Sequence, residues 1–379
     1  MEIMKCLPYL EQRCQSCQYL NGEYQQSIDA KEQEFLKFFP QTQSVFKSTY
    51  QVKNPAGSRN KAKLSVALIE NEMQFGIYDR FQNFKKLEDC PLHMEGINSL
   101  LIVIKSLLSK FSITPYNLSK QNGELKNIII TKSDTTQNLL IRFILRSKES
   151  VDRLRKVGDE LQSMLPEVKV VSANIQPKHA AILEGEEEIV LSKNDTIIHH
   201  YDNIKLHLGV KSFFQVTSEV ARELYSTVAD FLKDKKINSM LDLYCGVGAF
   251  SFYAAQSVNS VTGVEISSEA IRCAMLSKQD NQVTNAHFKA LDVDHLWDEL
   301  TGDFDCILVN PPRRGVGLSS MQKIKNLAPQ YLIYSSCNVE TLYSDFTHIQ
   351  DKYEVIFSRI FDMFPFSKHF EVLMIFKKR

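Results

Sequence analysis

From Ser239 to the C-terminus, short strand-like runs alternate with helix-forming stretches. The runs are Ser239 to Tyr244, Ser260 to Glu265, Ala286 to Ala290, Cys306 to Asn310 and Tyr331 to Ser335. Strands separated by helical crossovers lie parallel and need both faces covered, which predicts a mostly parallel sheet between two layers of helices. Two further runs, Tyr353 to Phe361 and His369 to Phe376, are joined by the short turn-rich segment Asp362 to Lys368. So short a connection makes them antiparallel to each other. A long helix, Val216 to Lys233, leads into the alternation.

Ahead of residue 200 the pattern changes. Strand-like runs at Lys63 to Ile69, Asn127 to Thr131, Leu139 to Leu145 and Val168 to Ile175 accompany one clear amphipathic helix, Gly96 to Leu108. The expected organisation is an α+β domain over residues 1–200, then an α/β domain over 201–379, with the joint near 195–212. A chain of 379 residues with 44% hydrophobic content is long enough for two such cores. Basic and acidic residues balance at 45 each, 26 against 24 up to residue 200 and 19 against 21 beyond it. No lopsided field advertises a polyanion, so a nucleic-acid groove has to come from local clusters. The sequence has neither a run of about 18 apolar residues nor a secretory leader pattern. A cytoplasmic protein without a membrane partner is expected, with a monomer as the default.

Open α/β sheets hold ligands at the carboxyl ends of their parallel strands. The first strand ends in Asp242-Leu243-Tyr244-Cys245-Gly246-Val247-Gly248, whose small residues let the backbone turn sharply and approach a ligand. Only Gly-x-Gly is present, which fits the first motif of a methyltransferase better than a full dinucleotide fingerprint. The second strand ends in Glu265, a carboxylate able to accept from both hydroxyls of a ribose, or simply to sit in solvent at a helix start. Asp292, after the third strand, can reach an adenine or belong to a loop surface.

The fourth strand ends in Asn310-Pro311-Pro312-Arg313-Arg314-Gly315 and the fifth in Ser335-Ser336-Cys337-Asn338. Because the last strand is antiparallel, its beginning lies at the same edge and brings Glu371 toward Cys337. Carbon 5 of uracil is a poor nucleophile until a thiolate adds at carbon 6. A base must then take the carbon 5 proton so that the thiolate can leave. Cys337 suits the first task and Glu371 the second. A cysteine standing alone is more often a buried structural thiol; here its position at the ligand edge argues for chemistry. Amino-group methyltransferases normally place an aromatic residue after Asn-Pro-Pro, and RNA cytosine-5 enzymes a cysteine after Pro-Pro. Arg313 stands there instead, and both departures favour uracil. From another class, a non-catalytic RNA-binding or assembly protein is the alternative.

Cys6-x7-Cys14-x2-Cys17, with Cys90 folding back, supplies four soft ligands that suit zinc or a [4Fe-4S] cluster equally by spacing. Arg59, Lys61 and Lys63 share one face if they lie on a strand and can meet successive phosphates or line a solvated surface. Arg313 and Arg314 can contact phosphate or anchor their loop. Phe213, Phe214, Tyr244 and Phe370 are candidates to contact an extruded base and equally plausible core residues.

Taken together, Asn-Pro-Pro-Arg-Arg-Gly, Ser-Ser-Cys-Asn, Phe361-Asp362-Met363-Phe364-Pro365 and the N-terminal cysteine triplet resemble the RNA uracil-5 methyltransferase family over nearly the whole chain. The likeness is strongest to the branch that modifies bacterial 23S ribosomal RNA. That resemblance implies a class I S-adenosylmethionine-dependent methyltransferase domain of Rossmann-like fold. It implies Gln215, Tyr244, Glu265 and Asn310 as cofactor-binding residues, and Cys337 and Glu371 as catalytic ones. It tips the choice at Cys6, Cys14, Cys17 and Cys90 to an iron–sulfur cluster in a structural role, and makes residues 1–200 an RNA-binding domain without an extra N-terminal barrel. Its implied substrate is uridine 747 of 23S ribosomal RNA.

Overall fold

The computed structural model describes residues 4–178, 183–299 and 303–379. They form two compact units, Gln18–Lys53 with His200–Arg379, and Met4–Cys17 with Asn54–His199. The joint read near residue 200 recurs at His199/His200. Gln18–Lys53, however, expected within the first domain, lies with the second half of the chain. Pairing and packing explain this. Phe46–Tyr50 adds a parallel edge strand to Tyr353–Phe361, and helix Tyr24–Phe38 buries Phe35 in the same core as Leu332 and Phe376.

The sheet of this α/β unit has eight strands. In spatial order they are Phe46–Tyr50, Tyr353–Phe361, Glu371–Lys378, Tyr331–Ser336, Cys306–Val309, Ser239–Leu243, Ser260–Glu265 and Ala286–Ala290. Glu371–Lys378 is antiparallel to both neighbours, and the other pairings are parallel. The five alternating strands lie within about a residue of their apolar runs, because strands buried on both faces are read from continuous hydrophobicity. Leu241, Leu243, Val264, Ile307 and Val309 are among the buried residues that result. The chain starts in the middle at Ser239–Leu243, steps outward twice, and returns to the other side at Cys306–Val309. Such a reversal opens a crevice at the carboxyl ends of those two strands.

The α+β unit has a seven-stranded sheet in the order Phe84–Lys86, Glu72–Tyr78, Lys61–Ile69, Leu125–Lys132, Leu139–Leu145, Val168–Ile175 and Glu187–Val190. Helices Ile97–Lys110 and Val151–Met164 accompany it. Among the described residues no helix is long and apolar enough to cross a membrane.

Candidate active site

Leu243 pairs with Val264 on one side and Val309 on the other, and Val309 pairs with Tyr334. Residues 244, 265, 310 and 335 therefore lie in a row at the carboxyl ends of these strands, along one edge. At the first of them the backbone is forced over. Tyr244 has φ +61°, a left-handed conformation that a bulky residue adopts only where its surroundings impose it. The two glycines that follow differ in purpose. A Cβ on Gly248 would meet the Phe288 ring at 2.8 Å, so that glycine serves packing; one on Gly246 would meet nothing within 4 Å. Open space before Gly246 is room for a ligand against bare backbone.

Glu265 frames that space. Its carboxylate accepts the Gly246 amide at 3.2 Å and the Ser267 amide at 3.0 Å. A carboxylate has about four acceptor positions, so both oxygens keep capacity for ribose hydroxyls. Asp242 is fully buried, accepts the Ser251 hydroxyl at 2.5 Å on Oδ2, and has no hydrogen-bond partner on Oδ1. Burial pushes its carboxyl up to about 7, against the opposing pull of Ser251. Together the open glycine turn, the half-used Glu265 and the unsatisfied Asp242 oxygen fit a nucleoside cofactor with a cationic amino-acid tail. Asn310 continues the row, its amide donating to the Leu243 carbonyl at 3.3 Å. Gln215 is buried just ahead of helix Ser218–Lys233. Asp292 immediately precedes helix Val293–Glu299.

Cys337 follows strand Tyr331–Ser336. In the antiparallel pairing Ser335 faces Leu373 and Ser336 faces Val372, so one step further Cys337 comes opposite Glu371. Glu371 is buried and accepts the Ser335 hydroxyl at 2.5 Å. Burial pushes its carboxyl up to about 7, with the Ser335 bond acting the other way. The Cys337 thiol is pushed up first by burial and then by Glu371, while Arg313, within hydrogen-bond reach of the sulfur, pulls it down. Sequence reasoning left Arg313 between phosphate contact and loop anchoring; the structure sets it beside the thiol. Its backbone is fixed there because its carbonyl accepts from Asn338 at 3.0 Å and Thr341 at 3.2 Å. The rest of that loop hangs on buried Asp345, which accepts the Val316 and Gly317 amides at 2.7 and 3.0 Å and the Tyr334 hydroxyl at 2.6 Å. Nothing in the residue types alone announced this clamp. A cavity of about 390 Å³ opens on Cys337, walled by Arg313, Lys31, Lys368, His369 and Phe370 among others. Of the aromatic candidates, Phe370 reaches that cavity, Phe214 is buried near Tyr201, and Phe213 is 68% exposed.

In the α+β unit the four remaining candidate ligands are drawn together. Arg13, just before Cys14, bonds Asp89, just before Cys90, through two nitrogens at 3.1 and 2.8 Å. Cys17 is pushed up to about 12, chiefly by burial and then by the nearness of Cys90, Cys14 and Cys6. Burial raises Cys90 and Cys6 too. Cys6, Cys17 and Cys90 each feel neighbouring thiols. Among the described residues, though, no group of three or more metal-binding side chains is arranged to hold an ion as it stands. Arg59 is not on the strand expected for it. It precedes Lys61–Ile69, bridges to His93, and its charge pulls on Cys17 and Cys90. Lys63 is exposed 3.7 Å from Glu184, so the predicted row of three phosphate-facing cations is broken.

Comparison with known proteins agrees with this geometry. In fold, the chain matches the crystal structure of Pyrococcus abyssi tRNA (uracil-54, C5)-methyltransferase in complex with S-adenosyl-L-homocysteine. The TM-score is 0.77 over 95% of this chain and 85% of that one, at 20% identity. In sequence it is 36% identical to the 23S rRNA (uracil(747)-C(5))-methyltransferase RlmC of Xenorhabdus nematophila, over 98% of this chain and 99% of the relative. It is 37% identical to the protein of that name from Pectobacterium atrosepticum, over 99% and 100%. Residues 23–379 match the model of the tRNA (uracil-5-)-methyltransferase family. With a strand-end thiol opposite a buried carboxylate, and a methyltransferase fold around them, the chain belongs to that family.

Proposed function

We propose that the protein transfers a methyl group from S-adenosylmethionine to carbon 5 of a uridine in 23S ribosomal RNA, uridine 747, in the cytoplasm. The observation that carries this reading is Cys337 opposite Glu371, with Arg313 against the sulfur and a base-sized cavity in front. The RNA target rests on relatives that align end to end with this chain.

Tyr244, Glu265, Asn310 and Gln215 hold the cofactor, which supplies an electrophilic methyl sulfonium when bound. The target base leaves its stack and enters the cavity. Arg313 favours the Cys337 thiolate, whose sulfur bonds to carbon 6 as the carbon 5–carbon 6 π pair moves toward carbon 5 and the neighbouring carbonyl oxygen. Carbon 5 then bonds to the methyl carbon, whose bond to the sulfonium breaks to leave a neutral thioether. The Glu371 carboxylate takes the carbon 5 proton. The freed electron pair restores the double bond, the sulfur–carbon 6 bond breaks and the thiolate returns. A carboxyl near 7 suits this last role, since it is ionised around neutrality yet basic enough to accept the proton. Cys6, Cys14, Cys17 and Cys90 are the residues that would hold a [4Fe-4S] cluster, which would tie the N-terminal segment to the Cys90 loop. A transfer of this kind moves no single electron, so the cluster's task is structural.

Mass spectrometry of 23S ribosomal RNA from a deletion strain tests the reading. One 5-methyluridine is lost, and the wild-type gene restores it while Cys337→Ala does not. Loss of a methylcytosine or methyladenine, or of no methyl group, overturns it.

A further inference from the structure

The segment Asp362–Ser367 links the last two strands, and Glu371 lies four residues beyond it. Sequence reading gave it only a turn and a family signature. In the structure it is a buried polar junction. Asp362 is fully buried, with Oδ1 2.5 Å from the Lys31 ammonium and Oδ2 accepting the Tyr24 hydroxyl. Lys31 is itself 1% exposed and donates to the Phe364 carbonyl at 3.0 Å. Removing an ammonium from water is costly unless its protons find such partners. Around this pair, the Asp362 amide donates to the Tyr50 carbonyl at 2.8 Å and the Tyr19 amide to the Phe366 carbonyl at 2.9 Å. The Thr217 hydroxyl donates to the Met363 carbonyl at 2.9 Å. Phe366 is held at φ +61°, which a phenylalanine keeps only where its surroundings impose it. The same Lys31 walls the cavity that opens on Cys337.

We infer that Lys31 is a positioning residue of the methyl-transfer site: through Asp362 and Phe364 it fixes the turn that delivers Glu371 opposite Cys337. The inference rests on the role of Glu371 as base. Sulfur addition and methyl transfer do not use that base, whereas elimination does. A loosened turn therefore leaves a signature that general loss of structure does not, namely methylated RNA trapped on Cys337.

The test replaces both charges at once, Lys31→Met with Asp362→Asn, so that no lone charge stays buried. Cofactor-dependent melting reports that the variant folds. The expected result is a fall in kcat of about a hundredfold, the scale of an ångström-sized displacement, with KM for RNA within about twofold of wild type. Covalent enzyme–RNA complex then accumulates on unmodified RNA in denaturing gels. Normal turnover overturns the inference. So does a fall in kcat without trapped complex, or a raised KM at unchanged kcat, which makes Lys31 an RNA contact. Glu371→Gln separates the two claims. If it traps complex and the double variant does not, Lys31 alone is misassigned; if it turns over normally, the base itself is.

Discussion

Burial penalises the thiol of Cys337 at one end of the α/β sheet and those of Cys6, Cys17 and Cys90 in the α+β unit. What surrounds each sulfur is different. Beside Cys337 stand one cation, Arg313, which favours the thiolate, and one acid, Glu371, which opposes it. In the quartet Cys6, Cys17 and Cys90 each feel other thiols, with Arg59 pulling on Cys17 and Cys90 and Arg13 and Asp89 acting in opposition on Cys6. A lone thiolate beside an arginine is ready to add to an electrophilic carbon. Cys17 and Cys90 are raised by burial and by neighbouring thiols, and ionising several clustered thiols together needs added cation charge, which is what the proposed cluster would supply. Burial alone makes a cysteine inert, and the charges around it decide which chemistry overcomes that.

The largest effect expected from this contrast is at Cys337. Cys337→Ala lowers methylation by at least about four orders of magnitude, since no other group can form the bond to carbon 6. It also abolishes the stable adduct with RNA containing 5-fluorouridine, where fluorine replaces the departing proton. Cys17→Ala keeps the adduct. An adduct that survives Cys337→Ala erases the distinction between the two groups.

Glu371→Gln comes next, lowering turnover by roughly a hundredfold to ten-thousandfold while methylated adduct accumulates. The same change has a stability signature. The folded value of about 7 lies above the ordinary 4.5, so the folded protein binds this proton more tightly than the unfolded chain. The resulting stabilisation is complete in acid below the ordinary value and lost as pH rises through about 7. Above neutrality Glu371→Gln is therefore more stable than wild type by about 3 kcal/mol, and the gap closes in acid. Wild-type turnover moves the opposite way, rising with pH through about 7 as the base ionises. Denaturant melts and turnover across pH check both; equal stability above neutrality means that Glu371 is not buried as a strained carboxylate.

How much of this was legible beforehand follows from what each feature depends on. The central strands are continuous apolar runs, so their positions were readable. Phe46–Tyr50 is a short edge strand of mixed polarity whose pairing with Tyr353–Phe361 depends on residues three hundred positions away, and no local pattern carries it. Glu371 could be set near Cys337 because the direction of the last strand follows from a short connection. Arg313 at the sulfur, Asp345 behind it and Lys31 under the Asp362 turn required knowing which loops close on one another. Charged residues are common enough on surfaces that type and spacing did not separate these from solvated ones.

Arg313→Met sharpens the contrast from the other side. Without the guanidinium the Cys337 pKa moves up, so the pH profile of adduct formation shifts to the alkaline side, with a loss of about tenfold near neutrality. Lys restores part of this, because it returns the charge without the planar fork. An unshifted profile removes Arg313 from thiol activation.

The smallest effect on catalysis is expected at the quartet, where the readout that tests the proposed cluster is metal content. On the proposed cluster, Cys14→Ser removes one of four ligands and is expected to abolish bound iron and sulfide after anaerobic purification, while turnover falls by no more than about threefold because such a cluster would take no part in the transfer. Asp89→Ala is the subtler probe. It keeps every sulfur but cuts the two bonds from Arg13 that hold the Cys14 segment against the Cys90 loop. Partial loss of iron in Asp89→Ala against complete loss in Cys14→Ser identifies the ion pair as a support for the ligands. Stoichiometric zinc without iron in the wild-type protein overturns the cluster, and a collapse of turnover in Cys14→Ser breaks the division of labour between the two groups of thiols.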